Sequence, residues 1–411
     1  MRKVNLFLFL LLGPLLMACR QNVVTLENGT WRGTLMTDAG VEIPFNFEVY
    51  DSLGKKQVAF INGKERLNIN EVYIEGDSVF IKTPLYDAEI RALLQRDGLT
   101  GRWVKRLPDT LQRMVLSATP HTAWRFTEKP ARADQELRGK WSVMMMKPGN
   151  GDTTFSVGEF TQNGNSISGT FLTNYGDYRF LSGEMNKNNI FLSGFDGSGA
   201  TLFTGTVQNG LISNGKLYSG PSYQADWSAK RDADAMLADA FSLTVLKKGY
   251  TTVDFQFPDL QGDNISPADD RYKGKVIIIQ FLGSWCPNCM DETAYLSPLY
   301  DNYEEKGLAV IGLAYERYAD REKAGKAVAN LKKRFNVRYP ILLTGCTNKT
   351  EEVLKSIPAL ANFSAFPTTI LIDKRGTVRS IHTGFSGPAT GQAYLDYKKE
   401  FEGKINALLA E

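Results

Sequence analysis

The sequence predicts a multidomain chain in which N-terminal all-β antiparallel modules are followed by an α/β domain. Three observations predict it. Between about Asn22 and Arg231, short alternating runs are separated by Asn62-Gly63, Asn163-Gly164, Asp196-Gly197, Asn209-Gly210 and Asn214-Gly215, pairs that supply the positive φ angles of tight hairpins. Tryptophan-marked segments recur in that stretch as in a duplicated unit. After Arg231, β-branched runs alternate with amphipathic ones, the pattern of a mixed sheet with helices on both faces. A length of 411 residues fits two or three domains at about 150 residues each. The chain is 43% hydrophobic and 23% charged, a globular composition. A net charge of +3 is too balanced for a nucleic-acid binder. Four cysteines make no disulfide scaffold, and two histidines exclude most His-rich metal sites.

The first element reads as an export signal. Arg2 and Lys3 precede a largely apolar run, Val4 to Met17, that contains Pro14 and falls short of the roughly 20 residues a spanning helix needs. Leu16-Met17-Ala18-Cys19 resembles the lipobox of bacterial lipoproteins, whose cysteine is lipidated and becomes the new first residue. That resemblance implies removal of residues 1–18 and attachment to the lipid bilayer through Cys19. The mature chain would then face the periplasm from the cell envelope, where disulfide chemistry is possible. Arg20 stands where the inner-membrane retention signal of such lipoproteins has aspartate, which favours the outer membrane.

Two β modules follow, residues 19–130 and 131–235. One opens with Trp31-Arg32-Gly33-Thr34-Leu35 and closes with Trp103-Val104-Lys105-Arg106; the other opens with Gly139-Lys140-Trp141 and closes with Trp227-Ser228-Ala229-Lys230-Arg231. Turns about every ten residues predict meanders that close into a barrel or a sandwich. The tryptophans read as core plugs at strand ends, with ligand contact as the alternative. The charged segment Glu128 to Gln135, with Pro130, links the modules.

The α/β domain spans 236–411. Lys275 to Phe281 is a β-branched run typical of a central strand buried on both faces. Tyr295, Leu296, Leu299 and Tyr303 mark the helix after it. Leu308 to Leu313 is a second buried strand, and Ala324, Val328, Leu331 and Phe335 mark a second helix. Ile341-Leu342-Leu343 is a short strand. Thr368 to Ile372 and Thr377 to Ile381 form a hairpin around Asp373-Lys374-Arg375-Gly376, and Tyr394, Tyr397, Phe401, Ile405 and Leu408 mark a final helix.

Trp285-Cys286-Pro287-Asn288-Cys289 lies where the central strand ends and a helix begins. Two intervening residues let both sulfurs meet on one helical turn. Cys286 falls at the helix amino terminus, beside unpaired N–H groups and the positive end of the dipole, which favours thiolate and makes it the expected nucleophile. Cys289, one turn inward, is the expected resolving thiol, and the pair can exchange through a mixed disulfide and close on itself. A zinc half-site is the competing reading, but no second Cys-x-x-Cys completes it, so no metal is expected.

With these residues the chain from about Thr244 to Glu411 resembles the thioredoxin fold and, within it, the TlpA-like thiol–disulfide oxidoreductases of bacterial envelopes. The resemblance rests on Trp-Cys-x-x-Cys and on Phe366-Pro367-Thr368-Thr369 before the hairpin. It implies a cis Pro367 facing the disulfide, with Trp285, Pro287, Phe366 and Pro367 bordering the substrate groove; Phe366, bulkier than usual, narrows or greases it. Thioredoxin carries an aspartate six residues before its first cysteine, where this chain has Gln280. Similar TlpA-like proteins carry a glutamate at the spacing of Glu292, which is therefore the expected proton carrier for Cys289; the alternative is an acid complementing the helix amino terminus. Thr383 to Pro388 forms a loop that borders the site or only turns into the last helix.

The function expected is disulfide exchange, as a reductase of exported proteins recharged by a membrane electron donor and needing no cofactor. The alternative is an envelope binding lipoprotein, or a Cu(I)-binding thiol protein, in which the β modules provide the main function. Peroxiredoxin chemistry conflicts with Gly283 and Ile279, which stand where that motif has its hydroxyl residue and proline. Met290 after the pair excludes haem attachment, and Gly197-Ser198-Gly199 completes no nucleotide loop. Cys346, after Leu343-Thr344-Gly345, reads as a half-buried free thiol, with a third redox thiol as the alternative.

Overall fold

A computed structural model of the chain describes residues 25–411 apart from 84, 85, 148 and 150; Cys19 and residues 1–18 lie outside the described residues. The first module is β1 (Gly29–Met36), β2 (Glu42–Ser52), β3 (Lys55–Asn62), β4 (Glu65–Ile69), β5 (Val72–Glu75), β6 (Ser78–Thr83), β7 (Ala88–Gln95), β8 (Gly98–Arg106) and β9 (Leu111–Pro120). Sequential strands pair antiparallel and β1 closes on β9, giving the order β4-β3-β2-β1-β9-β8-β7-β6-β5. This is a nine-stranded barrel open along the β4–β5 seam. The second module is β10 (Gly139–Met146), β11 (Thr153–Asn163), β12 (Ser166–Thr173), β13 (Gly176–Asp177), β14 (Leu181–Asn186), β15 (Asn189–Phe195), β16 (Ala200–Gln208), β17 (Leu211–Ser219) and β18 (Tyr223–Arg231). Here β10 pairs with both β18 and β11, and β11 with β12, so eight strands close a full circle and the two-residue β13 hangs from β12. In both modules the first strand pairs with the last, but only the second is a fully closed barrel.

The likeness of the modules reaches atomic detail. Trp31 and Trp141 each follow, by two residues, a glycine with positive φ (Gly29 at 121°, Gly139 at 106°), and each indole N–H donates to the carbonyl four residues upstream, Glu27 at 2.9 Å and Leu137 at 2.7 Å. Trp103 and Trp227 are buried too and donate to the Gly197 and Lys216 carbonyls. With ring and N–H both spent inside the fold, these tryptophans are core plugs. One turn assignment is corrected. Asn214-Gly215 lies inside β17 as a bulge, where the β17–β18 register shifts between Ile212 and Gly215. The left-handed Asn214 (φ 52°) absorbs the extra residue, and a Cβ on Gly215 would stand 2.2 Å from the Trp227 carbonyl oxygen.

The barrels are joined through buried groups. Phe195, at the end of β15, enters the core of the first barrel between Phe45 and Phe60, with ring centroids 4.5 and 4.7 Å away. Its backbone N–H and C=O both bond the Asn62 amide side chain, at 3.1 and 3.0 Å. Arg125, buried in the linker, donates to Asn46 Oδ1 at 3.0 Å and the Ser193 carbonyl at 2.8 Å, and also to the Ile61 carbonyl. Burial pushes its pKa down to about 10.

The α/β domain starts with a two-residue pairing of β19 (Phe257–Pro258) and β20 (Asn264–Ile265). There follow β21 (Val276–Leu282), α1 (Pro287–Tyr303), β22 (Leu308–Glu316), α2 (Arg321–Phe335), β23 (Ile341–Thr347), α3 (Thr350–Ser356), β24 (Thr368–Ile372), β25 (Val378–Thr383) and α4 (Gln392–Ala410). The sheet order is β23-β22-β21-β24-β25, parallel across the first three and antiparallel across the last two pairings. All seven residues of β21 are buried, as expected of a central strand. Its even-numbered side chains face α1, α2 and α4; its odd-numbered ones face α3 and the irregular chain around Val253, Phe255 and Phe363. Helices thus lie on both faces, unevenly.

Candidate active site

Gly283-Ser284-Trp285 follow strand β21, and Cys286 caps α1 with extended backbone (φ −99°, ψ 113°) and Pro287 in the first turn. Proline is pre-set for that position and lacks the N–H that would go unpaired there. The Cys286 sulfur accepts the Cys289 backbone N–H at 3.3 Å, the bond of an N-cap side chain. Gly283 is required: a Cβ there would lie 2.1 Å from Trp285 Nε1. Glu316, at the end of β22, accepts the Ser284 N–H at 2.8 Å and its hydroxyl at 2.7 Å, which fixes the turn before the motif. Burial raises the Glu316 pKa.

No disulfide joins Cys286 and Cys289 in the structure. Cys286 is 6% exposed and Cys289 fully buried. Burial, and then the bond and charge of Cys286, push the Cys289 thiol well above its ordinary range. Three residues on, Glu292 is fully buried as well. Its carboxylate accepts the Thr369 hydroxyl at 2.7 Å and the Gln280 amide at 2.8 Å. Burial raises its pKa to about 7, against the lowering pull of those two bonds. Gln280 also donates to Thr293 Oγ1 at 3.2 Å and accepts the Tyr339 hydroxyl at 3.3 Å. The glutamine in the place of thioredoxin's aspartate thus holds the glutamate that stands one turn beyond Cys289. Glu292 bonds side chains of β21 and β24, not the amino-terminal N–H groups of its own helix.

The facing wall is Phe366 and Pro367, joined by a cis peptide bond. The Cys286 thiol points at the Phe366 carbonyl, 3.7 Å away. The Phe366 ring meets Trp285 edge-on at 5.7 Å, Trp285 donates to the Tyr315 carbonyl at 3.0 Å, and the Arg317 guanidinium lies over its indole at 5.3 Å. The Thr383–Pro388 loop does border the site, since the Gly384 N–H donates to the Pro367 carbonyl at 2.8 Å. Trp285, Pro287, Phe366 and Pro367 are therefore brought together around the dithiol. Beside them, Tyr86 and the turn between β8 and β9 face Trp285 and Arg317 across a cavity of about 610 Å³.

Cys346 packs under the opposite face of the sheet, half-buried, its thiol raised by burial and by Glu352. His382 on β25 is held neutral, its pKa pushed down to about 4 by burial between Phe241 and Tyr397. Among the described residues no group of three or more His, Cys, Asp or Glu side chains could hold a metal ion.

Residues that sequence reasoning did not single out close the site from the barrel side. Arg179, between β13 and β14, donates to the Pro287 carbonyl at 3.2 Å and pairs with Asp291 of α1 at 3.0 Å and Glu65 of β4 at 2.5 Å. Burial raises the Asp291 pKa to about 7, with Arg179 opposing it. No spacing rule links Arg179 to a motif 108 residues later in the chain.

A dithiol capping a helix, opposite a cis-proline at the edge of such a sheet, defines a thioredoxin-fold redox domain. Comparison with known sequences agrees. The Redoxin family matches residues 247–394. The thiol-disulfide oxidoreductase ResA of Bacillus thuringiensis is 32% identical over 130 residues, 32% of this chain and 66% of that one. ResA of Geobacillus kaustophilus is 30% identical over 148 residues, 34% of this chain and 72% of that one. Among solved structures, a thioredoxin-family thiol:disulfide interchange protein from Chlorobium tepidum TLS is 20% identical, covering 40% of this chain and 99% of that one with a TM-score of 0.30. The chain belongs to the family of ResA-like thiol–disulfide oxidoreductases. It spans about two thirds of the length of the Bacillus relative, and the barrels lie outside the Redoxin match.

Proposed function

We propose that the chain is a lipid-anchored disulfide reductase of exported proteins. The observation that carries the redox reading is the unequal placing of the two sulfurs: Cys286 at the helix cap, Cys289 fully buried beside the raised carboxyl of Glu292. Cys286 thiolate attacks one sulfur of a substrate disulfide, forms a mixed disulfide and releases the other sulfur as a thiolate. Glu292 takes the Cys289 proton. Cys289 then attacks Cys286, the Cys286–Cys289 disulfide forms, and the second substrate sulfur leaves. Two electrons pass from the dithiol to the substrate. A membrane electron donor, supplying two electrons and two protons, regenerates the dithiol. The wall formed by Trp285, Pro287, Phe366 and Pro367 receives the substrate segment.

The equilibrium reduction potential of the pair decides the direction. A value near or below that of thioredoxin, about −270 mV, is expected; one near the strongly oxidising end of the fold, about −120 mV, would make the protein a donor of disulfides and remove the need for an electron donor. The anchor rests on Leu16-Met17-Ala18-Cys19, and Arg20 favours the outer membrane. Labelled fatty acid fed to cells should enter the wild-type chain and not Cys19→Ala, whose release into the soluble periplasm is the second readout. Equal labelling of both would end the lipoprotein assignment.

A further inference from the structure

The segment from Asn174 to Arg179, hung between β12 and β14, touches both walls of the dithiol site. We propose that it is a clamp by which the second barrel holds the redox motif, with Arg179 as its positioning residue; this rests on the reading of Cys286 as the attacking thiol. On the motif side, the Arg179 guanidinium bonds the carbonyl of Pro287, the first residue of α1, and pairs with Asp291 one turn on. The Asn288 side chain lies against Gly176 so closely that a Cβ there would stand 1.9 Å from its amide nitrogen. On the facing wall, Asp177 accepts the Gly387 N–H at 2.7 Å, and the loop carrying Gly387 bonds Pro367 through Gly384. Asp177 also accepts the Arg179 backbone N–H at 2.6 Å, so the Asp177 side chain fixes the backbone that carries Arg179.

The charge pattern gives the clamp a consequence. Arg179 is 12% exposed, and its cation faces Glu65, Asp196 and Asp291 at 2.5, 4.0 and 3.0 Å, with Asp177 and Tyr86 also buried nearby. Asp196 and Glu65 come from the second and first barrels, Asp291 from α1. Arg179 is the cation that pairs with all three of these carboxylates, with Lys105 also acting on Asp196. Without Arg179 the first turn of α1 would lose a buried positive charge, and the carboxylates that stay ionised would disfavour a thiolate at the cap. Its backbone sits at φ 55°, the left-handed region that a non-glycine residue keeps only where its surroundings fix it. Barrel and motif are thus one electrostatic unit, and the barrels take part in setting the chemistry of the dithiol.

The test uses the full chain carrying Arg179→Gln, Arg179→Lys or Glu65→Gln, equilibrated in graded dithiothreitol buffers, with the attack rate of Cys286 on a small aromatic disulfide read in parallel. Arg179→Gln should move the equilibrium about tenfold toward the disulfide and slow the attack by about the same factor. Arg179→Lys, which keeps the charge, should recover most of the loss. Glu65→Gln removes a carboxylate while keeping the cation and should move the equilibrium the opposite way, by about threefold. A merely structural Arg179 would lower the unfolding temperature of its variants and leave both readouts at wild-type values, and that result overturns the clamp. If Arg179→Gln does not fold, the Lys and Glu65 variants decide alone: wild-type values in both overturn it. A wild-type chain whose Cys286 does not exchange at all brings down the oxidoreductase reading and the clamp with it; an active wild type with unmoved variants brings down the clamp alone.

Discussion

Cys289→Ser is expected to convert the protein into a trap. Its Cys286 should still open substrate disulfides, and the mixed disulfides should persist at least about a thousandfold longer, because the intramolecular attack that clears them owes its speed to two sulfurs held on one turn of α1. Serine fills the buried site with a hydroxyl that cannot displace a sulfur. Cys346 offers no substitute, since it packs under the opposite face of the sheet. Non-reducing electrophoresis of cell extracts should show adducts that collapse with dithiothreitol. They should be absent from the Cys286→Ser, Cys289→Ser double variant. A Cys289→Ser chain that carries no adducts while the wild type is active would refute the division of labour between the thiols.

Glu292→Gln should have two effects of opposite value. A carboxyl whose folded pKa lies above its unfolded one holds its proton more tightly in the folded state. Glu292 rises from 4.5 to about 7, so its contribution to stability is fully present below pH 4.5 and is lost as pH rises toward 7. Above that, the buried charge costs on the order of 3 kcal/mol. The glutamine variant escapes the cost, with Oε1 toward Gln280 and the amide toward the Thr369 hydroxyl, which can accept. Urea unfolding of the reduced proteins should therefore show the variant more stable than wild type at pH 8 and no better at pH 4.5. The same change removes the proposed proton acceptor for Cys289, so mixed disulfides should be resolved about tenfold to a hundredfold more slowly near pH 7. A variant that gains stability at pH 8 but resolves at the wild-type rate would leave Glu292 a buried acid with no part in proton transfer.

How far the site could be read from sequence depends on how local each contact is. Cys286, Pro287, Cys289 and Glu292 fall within two turns of one helix, and helical spacing places them before any fold is known. Gln280 was visible as a departure from thioredoxin, but its bond to Glu292 joins a strand to a helix and follows only from their packing. Ser284 and Glu316 meet through the parallel register of β21 and β22, which no turn signal encodes. Arg179, Asp177 and Gly176 are further off, because they reach the dithiol through the docking of one domain on another. The barrels show the same division. Their turn pairs and paired tryptophans stand in the sequence, whereas closure depends on β1 meeting β9 and β10 meeting β18, strands at opposite ends of each module. Asn214-Gly215 has the composition of a turn and sits in a bulge, since the same left-handed geometry serves both.

Phe195 bears on the ancestry of the chain. A repeated unit is usually thought of as a cassette that can be copied, exchanged or lost. Here an aromatic ring of the second copy is a load of the first copy's interior, flanked by Phe45 and Phe60, and its backbone is tied to Asn62. The first barrel alone would lack a ring of its core, and the second alone would expose Phe195 to water. Recombination between Pro120 and Gly139 would therefore separate two halves of one object, and relatives should inherit the tandem whole or not at all.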